Sequence, residues 1–307
     1  MNINWFKTKM LDFLKDPVKR FDYLSIMGMH NYMSDEKFLK KMYKLYTKKD
    51  LNLDDPKTFN EKLQWLKLYN RKPEYSTMVD KYEVKHYVAD KIGSEHVIPL
   101  LAIWERSEDV NFDELPEQFV IKCTHDSASY SICKDRNTFD FDAAISKIKR
   151  RINKNFFWNG REWPYKNVKP RIIAEKYMED SNGDSLTDYK FFCFNGEPKF
   201  MYISQETVND CADYYDMDFN QIDLQLNRTI PASGIERTKP ECFEEMKKYA
   251  TILSENIPHV RVDFYYINGI VYFGEMTFFH NGGMTKFNTE EWNRTLGDWI
   301  VLPEKTF

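Results

Sequence analysis

The chain has 307 residues, 42% of them apolar, 16% aromatic and 30% charged, with a formal net charge of −4. Its 23 phenylalanines, 19 tyrosines and 7 tryptophans exclude disorder as the main state, and the slight acidity excludes the basic excess of a dedicated nucleic-acid binder, so no nucleic-acid partner is expected. Five cysteines (123, 133, 193, 211 and 242) form no C-x-x-C pair, which disfavours both a disulfide framework and a zinc knuckle. No apolar run approaches the ~20 residues of a bilayer span, and Met1-Asn2-Ile3-Asn4 lacks the features of a secretion signal, so a cytoplasmic protein is expected.

Residues 1–50 carry 11 Lys and Arg against 6 Asp and Glu, whereas the remainder carries 33 against 42. Ile3, Trp5, Phe6, Met10, Phe13 and Leu14 recur near helical spacing among Lys7, Lys9 and Lys15, and Asp16-Pro17 is expected to break that helix. A second helix is predicted over 35–47, with Phe38, Met42, Leu45 and Tyr46 inward and Lys37, Lys40, Lys41, Lys44 and Lys48 outward. This basic region reads either as a helical cap on the main body or as a surface lying on an anionic membrane, peripheral at its inner face.

Thr58-Phe59-Asn60-Glu61 predicts a capping box that opens a helix through Leu63, Trp65, Leu66 and Leu68. Another helix is expected over 81–92, ended by Gly93. Extended segments follow at 96–104, 119–123 and 130–133, then a helix over 142–153. Strands at 171–177 and 188–194 lead through an Asn195-Gly196 turn into 198–203. A helix over 241–256 precedes a last hairpin, 260–267 with 270–278. Helices mixed with mostly antiparallel strands make an α+β architecture.

Hydrolase, zincin, Walker A and G-x-G-x-x-G signatures are missing, and the six histidines show no metal-ligand spacing. What stands out is charge on apolar strands, where it is costly unless solvated or used. Lys122 ends Phe119-Val120-Ile121. Glu175 and Lys176 follow Ile172-Ile173-Ala174. Asp188 and Lys190 bracket Tyr189. Arg261 and Asp263 alternate with Val260, Val262 and Phe264, and Glu275 sits in Tyr272-Phe273-Gly274-Glu275-Met276. Each alone reads as a solvent-facing position; together they point to a site.

The last hairpin makes that reading specific. A two-residue Asn268-Gly269 turn, slightly favoured by propensity, pairs Ile267 with Ile270 and places Asp263 and Glu275 on opposite faces. A three-residue loop with Gly269 left-handed pairs Tyr266 with Ile270 and sets Arg261 opposite Glu275, with Asp263 diagonally beside it. The carboxylates and Thr277 then converge as a hard-cation site suited to Mg²⁺ carrying phosphates. The site reading requires the second register.

In order along the chain, these pieces resemble the ATP-grasp superfamily: Asp80-Lys81 opening a helix, Lys122 closing a strand, the hinge Glu175-Lys176-Tyr177-Met178, and Asp263 and Glu275 with Arg261 just before. Longer runs are similar to the TupA-like group, named for teichuronopeptide biosynthesis. These are Asn52-Leu53, Pro56-Lys57-Thr58-Phe59-Asn60-Glu61-Lys62-Leu63-Gln64-Trp65-Leu66, Asp80-Lys81-Tyr82, Leu115-Pro116 with Phe119-Val120-Ile121-Lys122-Cys123, Asp188-Tyr189-Lys190-Phe191, Gly274-Glu275-Met276-Thr277-Phe278, Leu296-Gly297-Asp298-Trp299 and Leu302-Pro303.

The resemblance implies an ATP-grasp fold, two α+β lobes holding ATP between mostly antiparallel sheets. It divides the chain into a basic helical region (1–55), an N-terminal part of the module (56–117), a small lobe with the phosphate loop (118–177) and a large lobe with the Mg²⁺ site (178–307). It implies that Lys81 and Lys122 reach the ATP phosphates, that Glu175, Lys176, Tyr177 and Met178 form the adenine hinge, and that Asp188 holds ribose hydroxyls with Lys190 beside it. Asp263, Glu275 and, more weakly, Thr277 would bind Mg²⁺, with Arg261 and Lys190 serving catalysis. Two departures stand out. The loop Thr124-His125-Asp126-Ser127-Ala128-Ser129-Tyr130 has no glycine where the group's loop is glycine-rich, leaving Ser127 and Ser129 as donors and Asp126 as a charge that would repel phosphate. Lys85 stands where the group tends to carry arginine.

The activity so implied is a carboxylate–amine ligase acting through an acyl phosphate. Its partners would be ATP, a carboxylate-bearing sugar or glycan of surface polysaccharide, and an amine or amino acid. A sugar kinase, a polysaccharide glycosyltransferase and a non-catalytic nucleotide- or glycan-binding relative remain open.

Overall fold

The computed structural model describes residues 15–127, 129–180, 186–205, 211–227 and 232–306. Lys15 is helical and Asp16 is not, so the chain breaks at Asp16-Pro17 as expected, and a new helix opens there at once. The Asp16 carboxylate accepts from the Val18 amide at 2.8 Å, and Pro17, lacking an N–H, takes the first position of α1 (Pro17–Ile26). The helix expected from Ile3 to Leu14 lies outside the described residues. α2 (Asp35–Thr47) has the predicted span and buries Phe38, Leu39, Met42 and Tyr43 in the main core, with the five lysines facing solvent. This helix is a cap on the body.

The Thr58–Glu61 capping box forms at the start of α3 (Phe59–Tyr69). α4 (Glu74–Val79) and α5 (Glu83–Ile92) meet at buried Asp80, whose carboxylate accepts from the Tyr82 amide at 2.9 Å and from Arg171 Nη2 at 2.8 Å. Lys81 therefore sits in the turn between them, not in the helix expected from it.

Two antiparallel sheets follow. β1 (Leu100–Trp104), β2 (Phe119–Cys123), β3 (Ser131–Cys133) and β4 (Ile172–Lys176) pair in the order β1-β4-β2-β3. β1 comes from the stretch 56–117 and the others from 118–177. One face of this sheet, with Phe119, Ile121, Cys123, Ile172 and Ala174, packs against Ile148 of α6 (Phe141–Arg151), and the short α7 (Phe157–Gly160) follows. β5 (Thr187–Phe194), β6 (Glu197–Gln205), β7 (Ala212–Asp216), β8 (His259–Ile267) and β9 (Ile270–Thr277) pair in the order β7-β6-β5-β8-β9. β7 escapes the pattern reading because its five residues include two acids; buried Asp213 is met by Ser233 Oγ at 2.6 Å and Arg237 Nε at 2.8 Å.

α8 (Phe243–Leu253) covers the apolar face of the second sheet through Phe243, Met246 and Ala250. α9 (Glu290–Trp299) crosses the start of α3 so closely that a Cβ on Gly297 would stand 2.2 Å from the Lys57 carbonyl oxygen, a contact only glycine allows. Among the described residues no helix is long and apolar enough to cross a membrane.

Candidate active site

The β8–β9 hairpin closes with two residues. Ile267 pairs with Ile270, and Asn268 and Gly269 adopt φ of 51° and 83°, so the three-residue loop is incorrect. The convergence it was needed for arises in another way. Phe264 pairs with Phe273, yet Asp263 pairs with Glu275, which leaves Gly274 as an extra residue in a β-bulge. A Cβ at Gly274 would lie 3.1 Å from the Asp263 carbonyl oxygen. The bulge shifts the face of β9 by one position and returns Glu275 to the side of Asp263.

Register then carries a single row across all five strands: Tyr214, Tyr202, Lys190, Asp263 and Glu275 are successive cross-strand partners. Partners in a ladder share a face. Asp188, two residues before Lys190, shares it as well, and so do Arg261 and Thr277, which pair with each other.

Charge on this face is closely matched. Arg261 grips Asp263 with Nε to Oδ1 and Nη2 to Oδ2, both 2.7 Å, and the same Nη2 reaches Glu275 Oε1 at 2.7 Å. Lys190 Nζ bridges Asp263 Oδ2 at 2.9 Å and Asp188 Oδ1 at 3.2 Å. Asp263 is 1% exposed. Burial pushes its carboxyl up, but Arg261 and then Lys190 outweigh burial and hold it below the usual range. Lys190 is held protonated above its ordinary value, burial opposing and Asp263 prevailing. Burial raises the Asp188 carboxyl. Thr277 Oγ1 donates to Glu275 Oε1 at 3.1 Å.

Between the two sheets lies a cleft of about 500 Å³. Of the sequence-selected residues, Lys81, Lys122, Ser127, Glu175, Lys176, Tyr177, Met178, Asp188, Lys190, Asp263 and Glu275 line it. The first sheet supplies a second charge cluster. Glu175, 5% exposed, takes Lys85 Nζ at 2.6 Å on one oxygen and Lys122 Nζ at 2.5 Å on the other. Burial raises the Glu175 carboxyl, and Lys122 with Lys85 brings it below the usual range. Burial lowers both Lys81 and Lys85. The Lys176 amide is committed to the Pro99 carbonyl at 3.0 Å, so an adenine contact at Lys176 cannot use that amide.

The glycine-free loop is braced by its own side chains. Ser129 does not line the cleft: it is buried, donates to Asp126 Oδ1 at 2.5 Å and accepts from the Cys123 amide at 2.9 Å. Asp126, 3% exposed, turns its carboxylate away from the cleft as well, so the repulsion expected of it is directed elsewhere. Its backbone carbonyl accepts from Lys81 Nζ. Ser127, by contrast, is exposed in the cleft.

The model for TupA-like ATP-grasp proteins matches residues 61–301. The chain belongs to the TupA-like ATP-grasp family. Among solved structures it is similar to the D-alanine–D-alanine ligase of Bacillus anthracis complexed with ATP (16% identity, 65% of this chain and 53% of that one, TM-score 0.37). It is also similar to the D-alanine–D-alanine ligase of Helicobacter pylori (14%, 73% and 61%, 0.45) and the D-alanyl-alanine synthetase A of Vibrio cholerae (11%, 81% and 64%, 0.37). The chain spans less than two-thirds of the length of each. A comparison with curated proteins finds no match.

An ATP-grasp site implies magnesium, and the donor set suits it. Asp263 and Glu275 direct hard oxygens at one point, where the Arg261 Nη2 now stands 2.7 Å from each. Among the described residues no group of three or more His, Cys, Asp or Glu is assembled for a metal. Two carboxylates with water and phosphate oxygens are the arrangement magnesium commonly accepts.

Other residues at this cleft were not legible in the sequence. Tyr265, which lines the cleft, hydrogen-bonds Asp188. His280 Nδ1 receives Arg261 Nη1 at 2.9 Å, though histidine spacing singled it out for nothing. Two D-x-D triplets with the look of nucleotide-sugar motifs, Asp140-Phe141-Asp142 and Asp216-Met217-Asp218, serve local structure: Asp140 caps α6, and Asp216 closes a turn onto Asn220.

Proposed function

We propose that the chain is an ATP-dependent carboxylate–amine ligase. The γ-phosphoryl group passes from ATP to a substrate carboxylate, giving ADP and an acyl phosphate. An amine nitrogen then attacks the acyl carbon, the C–N bond forms, orthophosphate leaves and the nitrogen loses a proton. Phosphoryl transfer needs positioning and charge neutralisation more than covalent help. Lys81 and Lys122 offset phosphate charge from the small-sheet side, and Arg261, fixed by a bidentate grip, offsets charge developing on the acyl group. Lys190 keeps Asp263 oriented and neutralised until ligands arrive. Bound Mg²⁺, held by Asp263 and Glu275 with Thr277 beside them, would supply charge neutralisation at the phosphates.

The observation that carries this reading is the Arg261–Asp263–Glu275–Lys190 network: Lys190, Asp263 and Glu275 line the cleft that also holds Lys81 and Lys122, and buried Arg261 pairs with both carboxylates. The family resemblance supports a uronic-acid carboxylate of surface polysaccharide as acceptor and an amino acid or other amine as the second partner. The lysine face of α2 supports work beside an anionic membrane.

ATP-dependent phosphate release, assayed over a panel of uronic acids and amines with hydroxylamine as a trap, tests the proposal. A ligase gives a hydroxamate; a sugar kinase gives a stable phosphate ester and no hydroxamate. Asp263→Asn is expected to abolish phosphate release, and undiminished amide formation in that variant sinks the assignment.

A further inference from the structure

The turn that follows α1 presents an apolar surface to solvent. Ile26, Met27, Met29 and Tyr32 fall within seven residues of one another, and each is between 56% and 82% exposed. The segment 23–34 that carries them contains no Asp, Glu, Lys or Arg. Single apolar side chains are common on protein surfaces, whereas a contiguous exposed group marks a contact site.

Backbone and neighbours brace the turn in this form. α1 ends in a Schellman motif: the Gly28 amide donates to the Ser25 carbonyl and the Met29 amide to the Leu24 carbonyl, both at 2.9 Å, with Gly28 at a φ of 78°. His30 then turns inward, its ring stacked on Phe21 and its Nδ1 2.9 Å from Ser25 Oγ. Arg161 Nη2 donates to the His30 carbonyl at 2.9 Å. The buried anchor leaves the four apolar side chains on the outside of a fixed turn.

Beside this tip stands a run of cations. Lys147-Ile148-Lys149-Arg150-Arg151-Ile152-Asn153-Lys154, where α6 ends, holds five positive charges and no acid. Among the described residues, Arg151 is the one member of the five with a carboxylate within 4.0 Å. Ile26, Gly28 and Asn31 share one concave surface with Arg150 and Lys154, so tip and charge are adjacent. The helix dipole favours cations at a helix end, but it gives no reason for an apolar tip next to them. The lysine face of α2 is different: Lys40 and Lys44 are paired with Glu36 and Asp50, and no large apolar side chain of α2 is exposed.

We propose that this surface docks on an anionic phospholipid bilayer. Ile26, Met27, Met29 and Tyr32 enter the boundary between headgroups and acyl chains, and the basic end of α6 lies on the headgroup phosphates. Stable peripheral attachment takes two signals, and apolar insertion beside a basic patch supplies both. A second copy of the chain fits less well, because a two-fold contact would set the same cations against each other. The inference deepens the membrane part of the proposed function by naming a surface for it, and it does not need the ligase chemistry.

The test is co-sedimentation of the full chain, without nucleotide, with sucrose-loaded vesicles of phosphatidylcholine alone or of phosphatidylcholine mixed with phosphatidylglycerol. Binding to the mixed vesicles and not to phosphatidylcholine is expected, and added salt should weaken it. Met27→Ser/Met29→Ser should weaken it about tenfold or more, and so should Arg150→Gln/Lys154→Gln, whose residual binding should respond less to salt. Lys40→Gln/Lys44→Gln, on α2, should lose less than either. Both tip variants should keep the parent's melting temperature and Mg-ATP affinity. Absence of binding, equal binding to both vesicle types, full binding by either tip variant, or a larger loss from the α2 variant overturns the proposal. A vesicle-free dimer that Met27→Ser/Met29→Ser dissociates gives the surface to a second copy and overturns it as well. Because these mixtures contain no ATP, carboxylate substrate or amine, a failed ligase assay leaves their outcome intact.

Discussion

Arg261 Nη1 lies 2.9 Å from Nδ1 of His280, an imidazole only 6% exposed whose Nε2 has no hydrogen-bond partner. A guanidinium can only donate, so Nδ1 is the bare acceptor and the ring is neutral. Burial first, and then the Arg261 charge, lowers the His280 pKa well below its usual 6.5, and burial lowers that of His259 to about 3.

An acid-side loss of stability follows. Below pH 6.5 the unfolded chain takes up protons at both histidines while the folded chain does not, so the stabilisation is complete above 6.5 and is lost as pH falls. Each buried histidine would contribute a slope of up to about 1.4 kcal/mol per pH unit in that window. Urea melts between pH 7.5 and 4.5 should show it, and His280→Gln, which keeps an acceptor that does not titrate, should have the flatter profile.

Gly274 sets the register of the site. Gly274→Val would push a side chain against the Asp263 backbone, with an overpacking cost of about 1–3 kcal/mol. ATP-dependent phosphate release should fall far more than thermal stability does, because the substitution moves Glu275 relative to Asp263. A variant with normal turnover would show that the bulge is not needed for the site.

Glu175 holds Lys85 and Lys122 at the cleft wall. Glu175→Gln removes a buried charge that two ammonium groups share, a change of the kind that costs about 3–5 kcal/mol. Mg-ATP affinity should weaken along with the melting temperature. Lys85→Met is the gentler variant: Glu175 keeps Lys122, and nucleotide affinity should fall about tenfold or less. Calorimetry with the two variants side by side checks this.

Lys67 is a structural cation. Its buried ammonium donates to the Gly160 carbonyl at 2.9 Å and the Gly282 carbonyl at 2.7 Å, and burial lowers its pKa to about 8. Lys67→Met would strip the Gly160 carbonyl of this donor, at about 1–3 kcal/mol, while the Gly282 carbonyl keeps Gln64 Nε2 at 3.1 Å. Denaturant midpoints should drop accordingly, with activity per folded molecule largely retained.

Much of this protein was written in local pattern. The capping box at Thr58, the apolar stripe of α2, and charges such as Lys122, Glu175, Asp188 and Asp263 set into strand-forming runs all depend on neighbours a few residues away, so periodicity and capping chemistry reveal them. The ordered series from Asp80-Lys81 to Glu275 likewise carries the ATP-grasp resemblance.

Tertiary structure decided what depends on pairing between distant segments. The hairpin turn followed propensity, and the site survived only because one extra residue at Gly274 restored the face, a choice made by close packing against the Asp263 backbone. The same is true of Ser129 and Asp126, whose side chains turned to brace a glycine-free loop, and of His280, recruited by Arg261 from 19 residues away. A side chain's neighbours within its own element follow from helix and strand geometry. Its neighbours across elements are set by register and by the burial cost of leaving a charge unanswered, and those exist only once the sheets are assembled.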